Sequence, residues 1–407
     1  MMTHIFKLIW NRKRRSMMLM GEILLSFVVL FAVTSAIITG LTRYLEPVGF
    51  EYENRWILHF DHGRHMLGDN AQDPDIRATL QRIHAELIAH PDVENVSFIS
   101  SNHPYSNSMW TTGFEWKGTM HGASIWMVDD AFAEVANLKV LEGRWFAPED
   151  DASPRSVIVI TRQMRDEVFG SESPVGQIQI DKDDKKERLI VGVVDNYRYQ
   201  GEFESHIGGF FDRNIISDTA SEISSEAMLT VREGADARVE AALLKRVSAI
   251  APNSTMRIET LSDARQGYIQ KNLLGAGVFV AIAGFLILNV ALGLFGVLWQ
   301  SISRRHSEIG LRRAVGASPS DISRQVLLES LVLASIAIAA GVLVAVQVPL
   351  LGLDSILAQN GATIPGATYA LAMVCGAVLI YLLVSLCALY PSQLAARVQP
   401  AAALHDD

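Results

Sequence analysis

The chain has 407 residues, 49% of them hydrophobic and 19% charged, with 44 Asp plus Glu against 35 Lys plus Arg and a formal charge of −9. With this acidic balance, nucleic acid is not expected among the partners. Both cysteines, Cys375 and Cys387, fall in one late apolar run, which excludes a disulfide from everything before it.

Residues 1–16 form a basic amphipathic segment carrying Lys7, Arg12, Lys13, Arg14 and Arg15. Met17 to Leu41 follows, with Glu22 as its only ionisable group, and exceeds the about 20 residues of helix that a bilayer core requires. A signal peptide would share the basic start and late small residues such as Thr34, Ser35 and Ala36. Its apolar core is shorter, about 7–15 residues, so 17–41 is read as an uncleaved first transmembrane helix.

Residues 42–271 are polar enough to form a large water-exposed domain, and about 230 residues can bury a sufficient core without disulfides. Arg55 to Phe60 alternates like a strand. Pro74 to Ala89 reads as a helix capped by Asp73, with Ile76, Leu80, Ile83 and Leu87 on one face, and Val93 to Ile99 is a second strand. The same order returns late: a strand at Ala227 to Val231, a helix at Ala235 to Ile250 and a strand at Thr255 to Glu259. Two β-α-β units bracketing an insert predict a split α/β lobe of ferredoxin-like kind, at about 50–113 and 226–260. The insert, about 114–225, is strand-rich, with strands at Ile125 to Val128, Val157 to Ile160, Gln177 to Ile180 and Leu189 to Val194 and one helix at Thr161 to Phe169. The mixed charges of Asp181 to Arg188 read as a solvated hairpin turn.

Leu261-Ser262-Asp263 starts a helix, and no proline follows until Pro319. A stalk at 261–271 is therefore expected to run into a second span at 272–300, about 55 Å from Asp263 to Gln300 at 1.5 Å per residue. A short charged segment, 301–325, precedes a third span at 326–353, an external loop at 354–368, a fourth span at 369–390 and a tail at 391–407. The fold class is thus an α-helical membrane protein with four transmembrane helices and a large α+β extracytoplasmic domain.

Orientation follows from the short flanks. Arg304, Arg305, Arg312, Arg313 and Arg324 join the five basic residues before the first span on one side, whereas 354–368 has no basic residue. Positive-inside places both termini and the arginine segment in the cytoplasm. The 42–271 domain, with 24 basic against 37 acidic residues, then lies outside.

The arginine segment has readable punctuation. Glu308 and Arg312 stand at i and i+4 of a helix, and Ile309, Leu311, Ala314 and Val315 supply apolar contact surface. Gly316 is placed to end that helix in a left-handed cap, and Ser318-Pro319-Ser320-Asp321 starts the next with a capping box. On these features alone the segment either sets topology against anionic membrane lipid or receives a partner. Gly277 with Ala281, and Ala337 with Gly341, are small-x-x-x-small pairs suited to close helix packing, including packing in a dimer. Asn289 serves either a bond across an interface or a local one, and Glu22 and Glu329 read as interfacial acids rather than a proton relay.

Catalytic signatures are missing. No Gly-x-x-x-x-Gly-Lys-Ser/Thr loop, Gly-x-Ser-x-Gly elbow or His-Glu-x-x-His motif occurs, so the chain is read as a non-catalytic subunit with no cofactor of its own. His59, His62 and His65, with Asp61, are metal-ligand types but lack rigid helical spacing, so a polar loop is expected and no metal is assigned.

The stretch Ser303 to Leu331, with Glu-Ile-Gly-Leu-Arg-Arg-Ala-Val-Gly-Ala and then Leu-Leu-Glu-Ser-Leu, resembles the MacB/FtsX-type permeases of the ABC transporter superfamily. Leu138 to Phe146, Pro174-Val175-Gly176 and Val191 to Asp195 are similar to that family's extracytoplasmic core domain, and Tyr390-Pro391 through Leu404 to its terminator. The resemblance covers nearly the whole chain except Tyr44 to Asn107.

The resemblance implies a multi-pass bacterial inner-membrane permease whose 301–325 segment is a coupling helix docked on a separate cytoplasmic ABC ATPase, which uses ATP and Mg. It marks Glu308, Ile309, Leu311, Arg312, Arg313 and Gly316 as the ATPase-facing set. It also implies a second permease, identical or paralogous, and a periplasmic adaptor or other extracytoplasmic partner. Export of an amphiphile, peptide or lipoprotein by mechanotransmission is the function expected. The alternatives are a signalling scaffold that activates a partner such as a cell-wall hydrolase, and a membrane-anchored metal sensor built on the histidine run.

Overall fold

The computed structural model describes residues 13–61, 74–100, 102–180, 186–204, 208–218, 222–252, 254–303, 311, 315–351 and 366–396. Its long helices are α1 (Lys13–Leu45), α2 (Pro74–Ile88), α3 (Ala237–Ile250), α4 (Leu261–Ser303), α5 (Pro319–Leu350) and α6 (Gly366–Ala396). The strands are β1 (Arg55–Asp61), β2 (Val93–Ile99), β3 (Thr111–Trp116), β4 (Thr119–Val128), β5 (Val140–Gly143) and β6 (Ser156–Thr161), then β7 (Ile178–Ile180), β8 (Glu187–Val194), β9 (Gly209–Arg213), β10 (Glu226–Val231) and β11 (Thr255–Thr260). The chain divides into two units, Arg43–Asn272 and Met1–Thr42 with Leu273–Asp407.

In the first unit the strands follow the order β11-β1-β10-β2-β4-β9-β6-β8-β5, with β3 on β4 and β7 on β8. The first four pair antiparallel throughout, which is the order that two interleaved β-α-β units produce in a ferredoxin-like sheet. Alternation decides the faces. Trp56, Leu58 and Phe60 of β1 pack with Leu80, Ile83 and Leu87 of α2 and Leu243 and Val247 of α3, whereas Ile57 joins the core on the opposite face. Asp236 caps α3 by accepting a hydrogen bond from the Arg238 backbone N–H at 2.8 Å.

The inserted lobe is a mixed sheet: β4 with β9 and β6 with β8 run parallel, while β6 with β9 and β5 with β8 run antiparallel. It joins the split lobe where β2 pairs with β4 at Ile99 and Val128, and Asp129 accepts there from the Ser97 hydroxyl and the Phe98 backbone N–H. Three of its strands have no counterpart in the sequence reading. β3 is a hairpin arm that buries Phe114, closed by Lys117 at φ +49° and Gly118 at φ +82°, a type I′ turn made with Lys-Gly instead of the usual Asn-Gly. β5 and β9 are four and five residues long, too short for periodicity to register. The expected helix at 161–169 begins at Arg162 under a Thr161 cap and continues from Arg165 as a π turn.

Among the described residues, four apolar helical segments are long enough to cross a membrane: Met17–Leu45, Leu261–Gly296, Pro319–Leu350 and Gly366–Leu389, the first ending and the second starting in the Arg43–Asn272 unit and the rest lying in the other. Ile23, Phe27 and Leu30 of α1 form a core with Leu294 of α4, Ala334, Ala337 and Ile338 of α5, and Ala372 and Ile380 of α6. Gly341 lets α5 approach the Phe27 ring, since a Cβ there would lie 2.4 Å from Cδ1. Gly293 of α4 likewise faces the Glu22 carboxyl group. Helix α4 is the least covered, with 11% of its apolar window buried against 33%, 28% and 22% for the others. Ser318 caps α5 in a capping box with Asp321, Pro319 standing at the first helical position.

Gly192 of β8 is a close-approach position, because an added Cβ would lie 2.1 Å from the Arg144 carbonyl oxygen, a backbone atom that cannot swing aside. Gly192→Ala is expected to cost about 1–3 kcal/mol by overpacking, read as a lower thermal or denaturant midpoint.

Candidate functional site

A helix end leaves its last carbonyls without intrahelical donors. At the end of α1 a side chain distant in sequence supplies them. The Arg198 guanidinium, 1% exposed, donates from Nη1 to the Arg43 carbonyl at 2.9 Å and to the Glu202 carbonyl at 3.1 Å, and from Nη2 to the Glu46 carbonyl. Its backbone N–H donates to the Val48 carbonyl at 2.9 Å. A cation at a helix C-terminus also meets the negative end of the helix dipole.

The same loop reaches the start of α4. Glu202 is buried and accepts from Arg265 Nε and, at 3.3 Å, from the Tyr105 hydroxyl, while the Arg265 guanidinium lies 4.5 Å from the centre of the Tyr52 ring. Phe203 packs on Tyr44 from the α1 end at 5.7 Å and on Tyr268 from α4 at 6.1 Å between ring centres. Gly201, at φ +113°, passes where a Cβ would lie 2.7 Å from the Tyr268 ring and 2.8 Å from the Tyr105 ring, so only glycine fits. Thr260 caps α4 by accepting from the Asp263 backbone N–H at 3.0 Å.

Residues 197–204 therefore clasp the end of one helix and the start of another through charged and aromatic contacts, and Glu202 also lines a cavity of about 690 Å³ with Tyr44, Tyr52 and Arg265. Chemically the arrangement holds and positions. Glu204 completes it: buried, it accepts from the Gln200 backbone N–H at 2.8 Å, and burial pushes its carboxyl pKa from 4.5 up to about 8 despite Arg198 nearby.

Of the residues marked for ATPase contact, Glu308, Ile309, Arg312 and Arg313 lie outside the described residues. Leu311 is exposed, and Gly316 has φ +104° two residues before the Ser318 cap. The two small-residue pairs part company. Ala337 and Gly341 are buried in the chain's own bundle, whereas Gly277 and Ala281 are exposed, with no atom within 4 Å of a Cβ built on Gly277. Asn289 bonds locally, donating to the Phe285 carbonyl at 2.8 Å. His59 sits on β1 beside Glu226, and His62 and His65 lie outside the described residues.

The clasp escaped the sequence reading because 195–204 has neither helical nor strand periodicity. Its one local signal is Gly201 among Tyr197, Tyr199, Phe203 and the charges Arg198, Glu202 and Glu204.

Replacing Arg198 by Met is expected to destabilise the extracytoplasmic unit by about 1–3 kcal/mol for each carbonyl left buried and unpaired, measured as loss of the unfolding midpoint. For Glu204 the folded state binds a proton that the unfolded chain releases near its ordinary value. The stability that Glu204 contributes is therefore fully present below pH 4.5 and is lost as pH rises from there to about 8. Melting curves of Glu204→Gln should lose this slope, while the native chain keeps it.

A family model described as the MacB-like periplasmic core domain matches residues 23–247, and one described as the FtsX-like permease C-terminal matches residues 280–400. The macrolide export ATP-binding/permease protein MacB of Pasteurella multocida is 26% identical over 306 residues, covering 70% of this chain and 43% of that protein. The ABC transporter permease YknZ of Bacillus subtilis is 26% identical over 283 residues, covering 68% of each chain. The pyoverdine export ATP-binding/permease protein PvdT of Pseudomonas savastanoi is 24% identical over 303 residues, covering 72% of this chain and 44% of that protein. This chain thus spans less than half the length of two of these three relatives. Among solved structures, the periplasmic region of MacB from Actinobacillus actinomycetemcomitans aligns with 55% of this chain and 96% of its own at 15% identity and a TM-score of 0.39.

Proposed function

Because this chain belongs to the MacB/FtsX-type ABC transporter permeases, we propose that it couples ATP hydrolysis by a cytoplasmic ABC ATPase, supplied outside these residues, to movement of its extracytoplasmic domain. The observation that carries the reading is the pair of family matches in order along a chain with four apolar helices and no phosphate-cradling loop. ATP and Mg act in the partner. This permease contributes the membrane path and the moving part.

In the proposed cycle both termini and the 301–325 segment face the cytoplasm. Glu308, Ile309, Leu311, Arg312, Arg313 and Gly316 meet the ATPase, whose closure on ATP displaces the ends of α4 and α5. Helix α4 is continuous over 43 residues, about 65 Å at 1.5 Å per residue, so it can carry displacement as a rod. Arg265 and Tyr268 near its start, with Arg43 and Tyr44 at the end of α1, deliver that displacement to the 197–204 clasp. The work done outside is export of an amphiphile, peptide or lipoprotein by mechanotransmission, with a periplasmic adaptor or other extracytoplasmic partner receiving it. A second permease, identical or paralogous, packs against the uncovered face of α4 that carries Gly277 and Ala281.

Charge reversal at the coupling segment tests this. Glu308→Lys or Arg312→Glu should weaken ATPase docking and reduce stimulated ATP hydrolysis about tenfold or more while membrane insertion is unchanged. Native assembly and stimulation in both variants would refute the assignment.

A further inference from the structure

Three donors from separate parts of the sequence converge on the face of the split lobe away from α2 and α3. His59 of β1 and Glu226 of β10 are cross-strand partners, with His59 Nδ1 3.2 Å from Glu226 Oε1. His103 arrives from the loop after β2, its Nε2 3.5 Å from the same Glu226 oxygen and its ring 5.0 Å from that of His59. One donor atom from each of the three lies within 4.8 Å of the others. Tetrahedral bonds of 2.0–2.1 Å to a zinc-class ion have edges of about 3.3–3.4 Å, and the two donor spacings to Glu226, 3.2 and 3.5 Å, lie on either side of that value.

The hydrogen bonding of His103 orients its ring toward the same point. His103 Nδ1 is 2.8 Å from the Pro104 carbonyl, which only accepts, so Nδ1 carries the hydrogen and a neutral ring presents a bare Nε2. With Nδ1 donating to the Pro104 carbonyl, Nε2 is the ring atom that faces the Glu226 oxygen, 3.5 Å away. A backbone carbonyl on the far ring nitrogen is also the support that metal-bound histidines use.

The surroundings complete a second layer. His59 Nε2 is buried without a hydrogen-bond partner, and Glu259 Oε2, which accepts from Arg257 Nη1 at 3.2 Å, stands 3.6 Å away. A slight adjustment gives a carboxylate that orients the His59 ring, as outer-shell acids do for ligating imidazoles.

We propose that His59, His103 and Glu226 form a binding site for a zinc-class divalent ion, with Glu259 as the outer carboxylate and water completing the coordination. Two imidazoles and one carboxylate suit Zn(II) or Co(II). Ca(II) and Mg(II) require more oxygen ligands, and Cu(I) prefers sulfur. The site pins the loop that carries His103 to the two central strands of the split lobe. It is independent of the proposed coupling to an ATPase.

The test uses the untagged full-length chain in detergent, stripped with EDTA and titrated with Zn(II) by calorimetry and with Co(II) by visible absorption. One ion per chain should bind at micromolar concentration, and Co(II) should show the intense d–d bands of four- or five-coordination. His103→Ala and Glu226→Gln should each weaken binding at least tenfold, while a His62→Ala/His65→Ala double variant should bind as the parent does. Metal-free melting of Glu226→Gln should match the metal-free parent, which separates lost ligation from lost folding. Absence of one-to-one binding, weak octahedral Co(II) bands, or binding that survives both ligand substitutions would overturn the site.

Discussion

The buried Arg198 guanidinium is the interaction on which the arrangement of the extracytoplasmic unit depends. The chain enters this unit from the end of α1, where the Arg43 carbonyl accepts from the Glu46 backbone N–H at 3.2 Å and both the Arg43 and Glu46 carbonyls accept from Arg198. Arg198 satisfies them and bonds the Glu202 carbonyl, so one side chain both closes the helix and shapes the loop. Glu202 then fixes Arg265, and Phe203 fills the space between Tyr44 and Tyr268. Each contact is short-range and directional. Movement of either helix end must therefore move this loop or break bonds that are costly to leave unmade.

Much of the fold was legible in the sequence because its signals are periodic. The faces of Ile76-Leu80-Ile83-Leu87 and Val239-Leu243-Val247-Ile250 identify α2 and α3, and the alternation of Arg55 to Phe60 identifies β1. The membrane helices are legible from length alone. What escaped is built from contacts between distant segments. β9 is five residues long and takes its place between β4 and β6 through pairing, not pattern. His103 joins His59 and Glu226 only because the strand order brings β10 beside β1 and the loop after β2 folds across them. The histidine run drew attention to His59, but its neighbours in sequence are not its neighbours in space.

The membrane helices divide their small residues between two uses. Ala337 and Gly341 face inward, where Phe27 fills the groove they leave, and helix packing there is complete within one chain. Gly277 and Ala281 lie on the helix with the least covering, where close approach by another helix meets no obstruction. Identical small-x-x-x-small spacing thus serves an interior contact in one helix and leaves an open face in another. Burial, not spacing, distinguishes them.

The split construction of the α/β lobe also dictates an order of assembly. β1 pairs only with β10 and β11, so Arg55 waits for Thr230 and Trp56 for Thr260 while the whole inserted lobe is made between them. During synthesis β1 has two bare edges and α2 lacks α3 beside it, whereas the insert can close its own sheet as soon as β9 emerges. Nascent chains stalled between Arg213 and Glu226 would consequently hold a finished insert beside an adhesive, half-built lobe, and would be the species most in need of chaperones outside the membrane.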